Sequence, residues 1–115
     1  MWQDIVLTDI DKLADDIYWD VDTKGINIAF IVRYRMDHQR YLKPHVDSSL
    51  YTVAVALNKP GVDFKGGGVR FVRRNCTHIP PDSGHAIMHP GFFTHRHEGL
   101  AITEGTRYIL VTFIN

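Results

Sequence analysis

Residues 89–114 read HPGFFTHRHEGLAITEGTRYILVTFI, and their pattern decides the fold. Pro90-Gly91 is a turn signal feeding a short run, Thr94 to His97, and the stretch closes on an apolar run opened by Arg107. Along that last run Arg107, Ile109, Val111 and Phe113 share one face, because strand side chains alternate with a period of two. Working outward, similar turn-bounded runs occur at Asn27 to Tyr34, Tyr51 to Leu57, Val69 to Arg73 and Ala86 to Met88. Within the second of these, Tyr51, Val53, Val55 and Leu57 share a face. Short strands at this spacing predict a mainly β chain, a double-sheet jelly roll. Only the N-terminal segment reads differently: Leu7, Ile10, Leu13, Ala14 and Ile17 stand at helical spacing between Leu7 and Trp19. With Thr8 or Asp9 as N-cap, they predict a short helix packed outside the sheets.

At 115 residues the chain forms one small domain, 1–115. Its 44% hydrophobic and 23% charged residues are ordinary for a globular domain. A formal net charge of zero gives no electrostatic case for nucleic acid or an anionic membrane. No run approaches the ~20 apolar residues of a membrane span, and Met1-Trp2-Gln3-Asp4 lacks the pattern of a signal peptide. Cys76 is the lone cysteine, so no intrachain disulfide forms, and it is assigned no role.

The chemistry lies in His45-Val46-Asp47. An imidazole and a carboxylate two positions apart on a strand edge point to the same side. A second histidine from a later strand completes a 2-His-1-carboxylate triad, which leaves about three positions of an octahedral ferrous ion open for oxygen and a co-substrate. His89, His95 and His97 compete for that role, and only His97 stands ten residues before the arginine that opens the last strand. The spacing points to an oxygenase. Arg107 shares the face of Ile109, Val111 and Phe113, where an unpaired guanidinium is costly and should meet an anion. A guanidinium can hold the far carboxylate of a dicarboxylic co-substrate bidentately while its other end chelates the metal. Gly66-Gly67-Gly68 lacks the Lys-Ser/Thr of a phosphate loop and reads as a tight turn using positive φ.

From Phe30 to Asn115 the chain resembles the C-terminal catalytic domain of the procollagen lysyl hydroxylases (procollagen-lysine 2-oxoglutarate 5-dioxygenases). The resemblance is carried in order by Ile31-Val32-Arg33-Tyr34, Leu42-Lys43-Pro44-His45-Val46-Asp47-Ser48-Ser49, Val55-Ala56-Leu57-Asn58, the segment from Gly61 to Gly68, Met88-His89-Pro90-Gly91, the segment from Thr94 to Leu100, and Gly105-Thr106-Arg107-Tyr108. Val69 stands where animal members usually carry Cys, and Phe92-Phe93 replaces an Arg-Leu pair. Those departures lie outside the ligand set and are consistent with the giant-virus branch.

The resemblance implies a double-stranded β-helix of the Fe(II)/2-oxoglutarate dioxygenase type, detached from a longer multidomain protein. It makes His45, Asp47 and His97 the iron ligands and Arg107 the 2-oxoglutarate anchor. Tyr34 is a further co-substrate contact, its hydroxyl reaching in from the end of an apolar strand; Asn58 and Thr112 are candidates for supporting positions. The implied reaction hydroxylates peptidyl lysine at C5 in collagen-like sequences, decarboxylates 2-oxoglutarate to succinate and uses ascorbate as reductant. Asp37, Asp63 and Glu98 are the acids nearest the motifs that could meet the lysine ammonium. A prolyl hydroxylase of the same chemistry and a non-catalytic metal-binding dimerisation module are the alternatives. By resemblance the compartment is the endoplasmic reticulum lumen, or a host cell or virion for a viral member. The family also implies a homodimer. Alternation predicts that one of Phe92 and Phe93 enters the core while the other is free for a contact, with Phe93 at the dimer centre.

Overall fold

The computed structural model describes residues 26–115; the expected helix over Leu7 to Trp19 falls outside them. Nine strands run in order β1 (Ile26–Arg35), β2 (Leu42–His45), β3 (Tyr51–Ala56), β4 (Phe64–Gly66), β5 (Val69–Phe71), β6 (Cys76–His78), β7 (Ala86–Pro90), β8 (His97–Gly99) and β9 (Ile102–Ile114). They build two antiparallel sheets. The larger has the order β1-β9-β3-β7, with β4 paired to β9, and the smaller has the order β2-β8-β5-β6. This is the mainly β, double-sheet jelly roll expected from the strand spacing.

Period-two alternation sorts the larger sheet into two faces. Val53 lies opposite both Met88 and Thr112, and it packs with Ile114, Tyr51, Val55 and Met88. The other face turns toward the smaller sheet. There Phe30, Val32 and Tyr34 of β1 stand opposite Val111, Ile109 and Arg107 of β9. On the same face β3 presents Thr52, Ala54 and Ala56. Small side chains in the middle strand leave room between the sheets, and a cavity of about 300 Å³ occupies it. Tyr34, Phe64 and Ile102 pack at one end with Val32, Leu42 and Ile109.

The Gly66-Gly67-Gly68 run links β4 to β5 with φ of 76°, 81° and 103°, the tight turn expected. A Cβ on Gly67 would stand 3.4 Å from Arg107 Nη1, so the turn also makes space for the guanidinium. The run expected as Thr94 to His97 is displaced: pairing starts at His97, opposite His45 and Phe71, and the preceding residues form a bend and irregular chain. Phe93 has a φ of 41°, outside strand geometry, so alternation does not govern Phe92 and Phe93. Both rings are exposed, at 44% and 87%, and neither enters the core as expected.

Candidate metal centre and co-substrate cavity

Backbone pairing brings the first two candidate ligands together. His45 ends β2 and His97 begins β8, directly opposite each other, with ring centroids 4.4 Å apart. His45 Nδ1 donates to the Lys43 carbonyl at 2.7 Å and His97 Nδ1 donates to the His95 carbonyl at 2.8 Å. A ring nitrogen facing a carbonyl carries the proton, so each Nε2 keeps a free lone pair.

Asp47 lies beyond the end of β2, so strand alternation is not what aims it; the chain turns after His45 and folds the carboxylate back. Its Oδ1 is 3.3 Å from His45 Nε2 and its Oδ2 is 3.6 Å from His97 Nε2. One ligand atom from each of the three residues lies within 4.8 Å of the others. Ser49 Oγ donates to Thr52 Oγ1 at 2.8 Å, and Thr52 donates to Asp47 Oδ2 at 2.7 Å. That chain leaves Oδ1 without a protein donor among the described residues. A buried carboxylate facing two imidazole lone pairs is unfavourable until a cation joins them. Two nitrogens and one oxygen with open positions beside them fit ferrous iron.

Of the competing histidines, His95 lies outside this cluster and hydrogen-bonds Thr94 through Nδ1. His89 is a nearer neighbour. It is buried on β7, its Nδ1 donates to the Pro90 carbonyl at 2.8 Å, and its Nε2 stands 4.0 Å from Asp47 Oδ2. Burial pushes its pKa down to about 4, which keeps the ring neutral.

Arg107 lines the same cavity and is 7% exposed. Its Nε has no hydrogen-bond partner, and no carboxylate among the described residues lies in ion-pair range. The guanidinium carbon stands 5.6 Å from the ring centroids of both Tyr34 and Phe64. Burial lowers the arginine's pKa, with Tyr34 opposing, and burial raises that of Tyr34. A buried guanidinium whose Nε is unpaired among the described residues, held between two aromatic rings, is suited to receive an anion. Tyr34 sits opposite it in the β1–β9 register, its hydroxyl close against the backbone of Gly99, where a Cβ would approach to 2.7 Å.

Asn58 grips β9 on either side of Arg107, donating to the Thr106 carbonyl at 2.8 Å and accepting from the Tyr108 amide at 3.1 Å. Thr112 is fully buried opposite Val53, on the face of β9 turned from the cavity, and does not support the site. None of the three acids considered for the lysine ammonium lines the cavity. Asp37 is exposed and paired with Arg35, Asp63 accepts from the Lys59 amide, and Glu98 pairs with Arg70 across β5 and β8. Sequence reasoning missed Ser49 and Thr52. A Ser-x-x-Thr run two residues after the carboxylate was the available signal.

Residues 26–115 match the 2OG-Fe(II) oxygenase superfamily. The chain is 46% identical over 115 residues to procollagen-lysine,2-oxoglutarate 5-dioxygenase 1 of Rattus norvegicus, covering 99% of this chain and 16% of that protein. It is 56% identical over 90 residues to the multifunctional procollagen lysine hydroxylase and glycosyltransferase of Caenorhabditis elegans, covering 77% of this chain and 12% of that one. The chain thus spans less than a fifth of the length of these relatives. In fold it is similar to the viral collagen prolyl hydroxylase of Paramecium Bursaria Chlorella virus-1 in its 2OG complex: TM-score 0.76, 19% identity, 96% of this chain and 70% of that chain covered. The jelly roll, the His-Asp-His cluster and the match across the whole described region agree, and the chain belongs to the 2OG-Fe(II) oxygenase superfamily.

Proposed function

We propose that this chain hydroxylates peptidyl lysine at C5 in collagen-like polypeptides while decarboxylating 2-oxoglutarate to succinate. One observation carries the reading: a buried guanidinium with no carboxylate partner among the described residues shares a cavity with two imidazoles and a carboxylate. His45, Asp47 and His97 would hold Fe(II), which when bound activates dioxygen for decarboxylation of the keto acid and insertion of oxygen into a C–H bond. Arg107 binds the C5 carboxylate of 2-oxoglutarate, and Tyr34 and Phe64 flank the guanidinium to keep that salt bridge dry. Ser49 and Thr52 fix one oxygen of Asp47 so that the other is free for the metal. The names of the lysyl relatives, at 46% and 56% identity, support lysine over proline; the viral prolyl enzyme, at 19%, speaks only to the fold.

Ascorbate serves as reductant in this reading. Two copies pair through the loop of Phe92 and Phe93, whose exposed rings lie 6.3 Å apart. The reading is tested by succinate release in iron and 2-oxoglutarate with collagen-like peptides containing a target lysine or, instead, a target proline. Stimulation by the lysine peptide alone is expected. Stimulation by the proline peptide alone would transfer the assignment to prolyl hydroxylation.

A further inference from the structure

Oxidation at C5 of a lysine fixes where its charge goes. The ε-nitrogen is two bonds from the reacting carbon, about 2.5 Å away. The ammonium therefore lies among the atoms that face the metal, not at the rim. Among the described residues lining the cavity, Asp47 is the one carboxylate.

Beside it stands a second acceptor, with no protein donor to it among the described residues. His89 Nδ1 is committed as donor to the Pro90 carbonyl, which turns Nε2 into the cavity as the ring's acceptor position, 4.0 Å from Asp47 Oδ2. Thr52 supplies one hydrogen bond to that oxygen, and no protein donor among the described residues bridges it to the imidazole. The ring is held firmly in this aim: His89 pairs with Thr52 across β3 and β7, and its centroid is 4.6 Å from that of His97 and 5.2 Å from that of Phe71.

Resting on the lysyl reading above, we propose that His89 Nε2 and Asp47 Oδ2 together form the receptor for the ε-ammonium of the substrate lysine. Two acceptors 4.0 Å apart accept from one nitrogen placed about 2.9 Å from each. An ammonium has three donors and no acceptor, so it satisfies both and keeps one proton for a third partner. A water molecule has donors for the same place, and the experiment separates the two.

The 115-residue chain, loaded with Fe(II) and 2-oxoglutarate without oxygen, is titrated with a fluorescent collagen-like Gly-X-Lys peptide and with its norleucine counterpart. Wild type is expected to prefer lysine by roughly tenfold or more, the effect of hydrogen bonds to a charged group. His89→Asn keeps a donor for the Pro90 carbonyl but withdraws the acceptor at Nε2, and it should bring the preference close to parity. His89→Gln returns an acceptor near that position and should restore most of the preference. Iron and 2-oxoglutarate affinities serve as the folding control. Equal binding of both peptides by wild type, or a full lysine preference in His89→Asn, overturns the receptor and leaves the place to water. Hydroxylation of the lysine peptide by wild type is scored separately: its absence sinks the lysyl reading, whereas its presence with an unchanged preference in His89→Asn sinks the receptor alone.

Discussion

Arg107→Met keeps much of the aliphatic stem between Tyr34 and Phe64 and removes the charge. Its two expected effects have opposite signs. In the absence of co-substrate the guanidinium is buried without a partner for Nε, and burial has already lowered its pKa. Exchanging a buried ionic group for an apolar one of similar volume ranges from neutral to about 1–4 kcal/mol stabilising. At the lower end, about 1 kcal/mol raises the melting temperature of a small domain by roughly 4–8 °C. With co-substrate the sign reverses. Removing one partner of a desolvated charge pair costs about 2–5 kcal/mol, or roughly thirty- to several-thousand-fold in Kd. Calorimetric melting of the manganese-loaded chain with and without 2-oxoglutarate reads both effects. Wild type gains about 2.7 kcal/mol at a hundredfold excess over its Kd, and Arg107→Met should start higher and gain at most about 0.9 kcal/mol at the thirtyfold end of that range and almost nothing at the other. A variant that still shows the full co-substrate-dependent rise would refute the anchor.

His45→Ala, Asp47→Ala and His97→Ala should each abolish iron-dependent turnover, while His95→Ala retains iron at one ion per chain; calorimetric titration with Fe(II) checks this, and iron lost in His95→Ala but kept in His97→Ala reverses the assignment. Thr52→Val removes the donor to Asp47 Oδ2 and should weaken metal binding roughly 10–100-fold without altering the fold, as circular dichroism and metal titration will show. Phe93→Asp places a charge on a side chain that is 87% exposed and should convert a dimer to a monomer with reduced iron occupancy. Light scattering decides that point: a monomeric wild type, or a monomeric variant with full iron, removes the link between assembly and the metal site.

The sequence revealed β1, β3 and β9 because each is long enough for its apolar alternation to stand out. It concealed β2, β4 and β6, which are three or four residues long; Leu42–His45 even contains Pro44 and exposes its two middle residues. His97–Gly99 was displaced because its register is set by partners far along the chain, His45 and Phe71, and not by its own pattern. His45, Asp47, His97 and Arg107 were legible as residue types in a fixed order. The side chains that orient them were not. Tyr51–Ala56 is largely apolar on both faces, so nothing local says that Thr52 turns inward to Asp47 while Val53 packs on the other side. The free lone pair of His89 likewise depends on a carbonyl bond that only the folded strand end supplies.

In the proposed reaction one cavity couples 2-oxoglutarate decarboxylation to lysine oxidation. Its most direct test is mass spectrometry of a collagen-like lysine peptide and of succinate after reaction under isotopically heavy dioxygen. The proposed reaction predicts one heavy oxygen atom at C5 of the target lysine and one in succinate, in equal amounts, with both signals falling at least about tenfold in Arg107→Met at a co-substrate concentration equal to the wild-type Kd. Label in succinate alone, or label on a residue other than lysine, would contradict it.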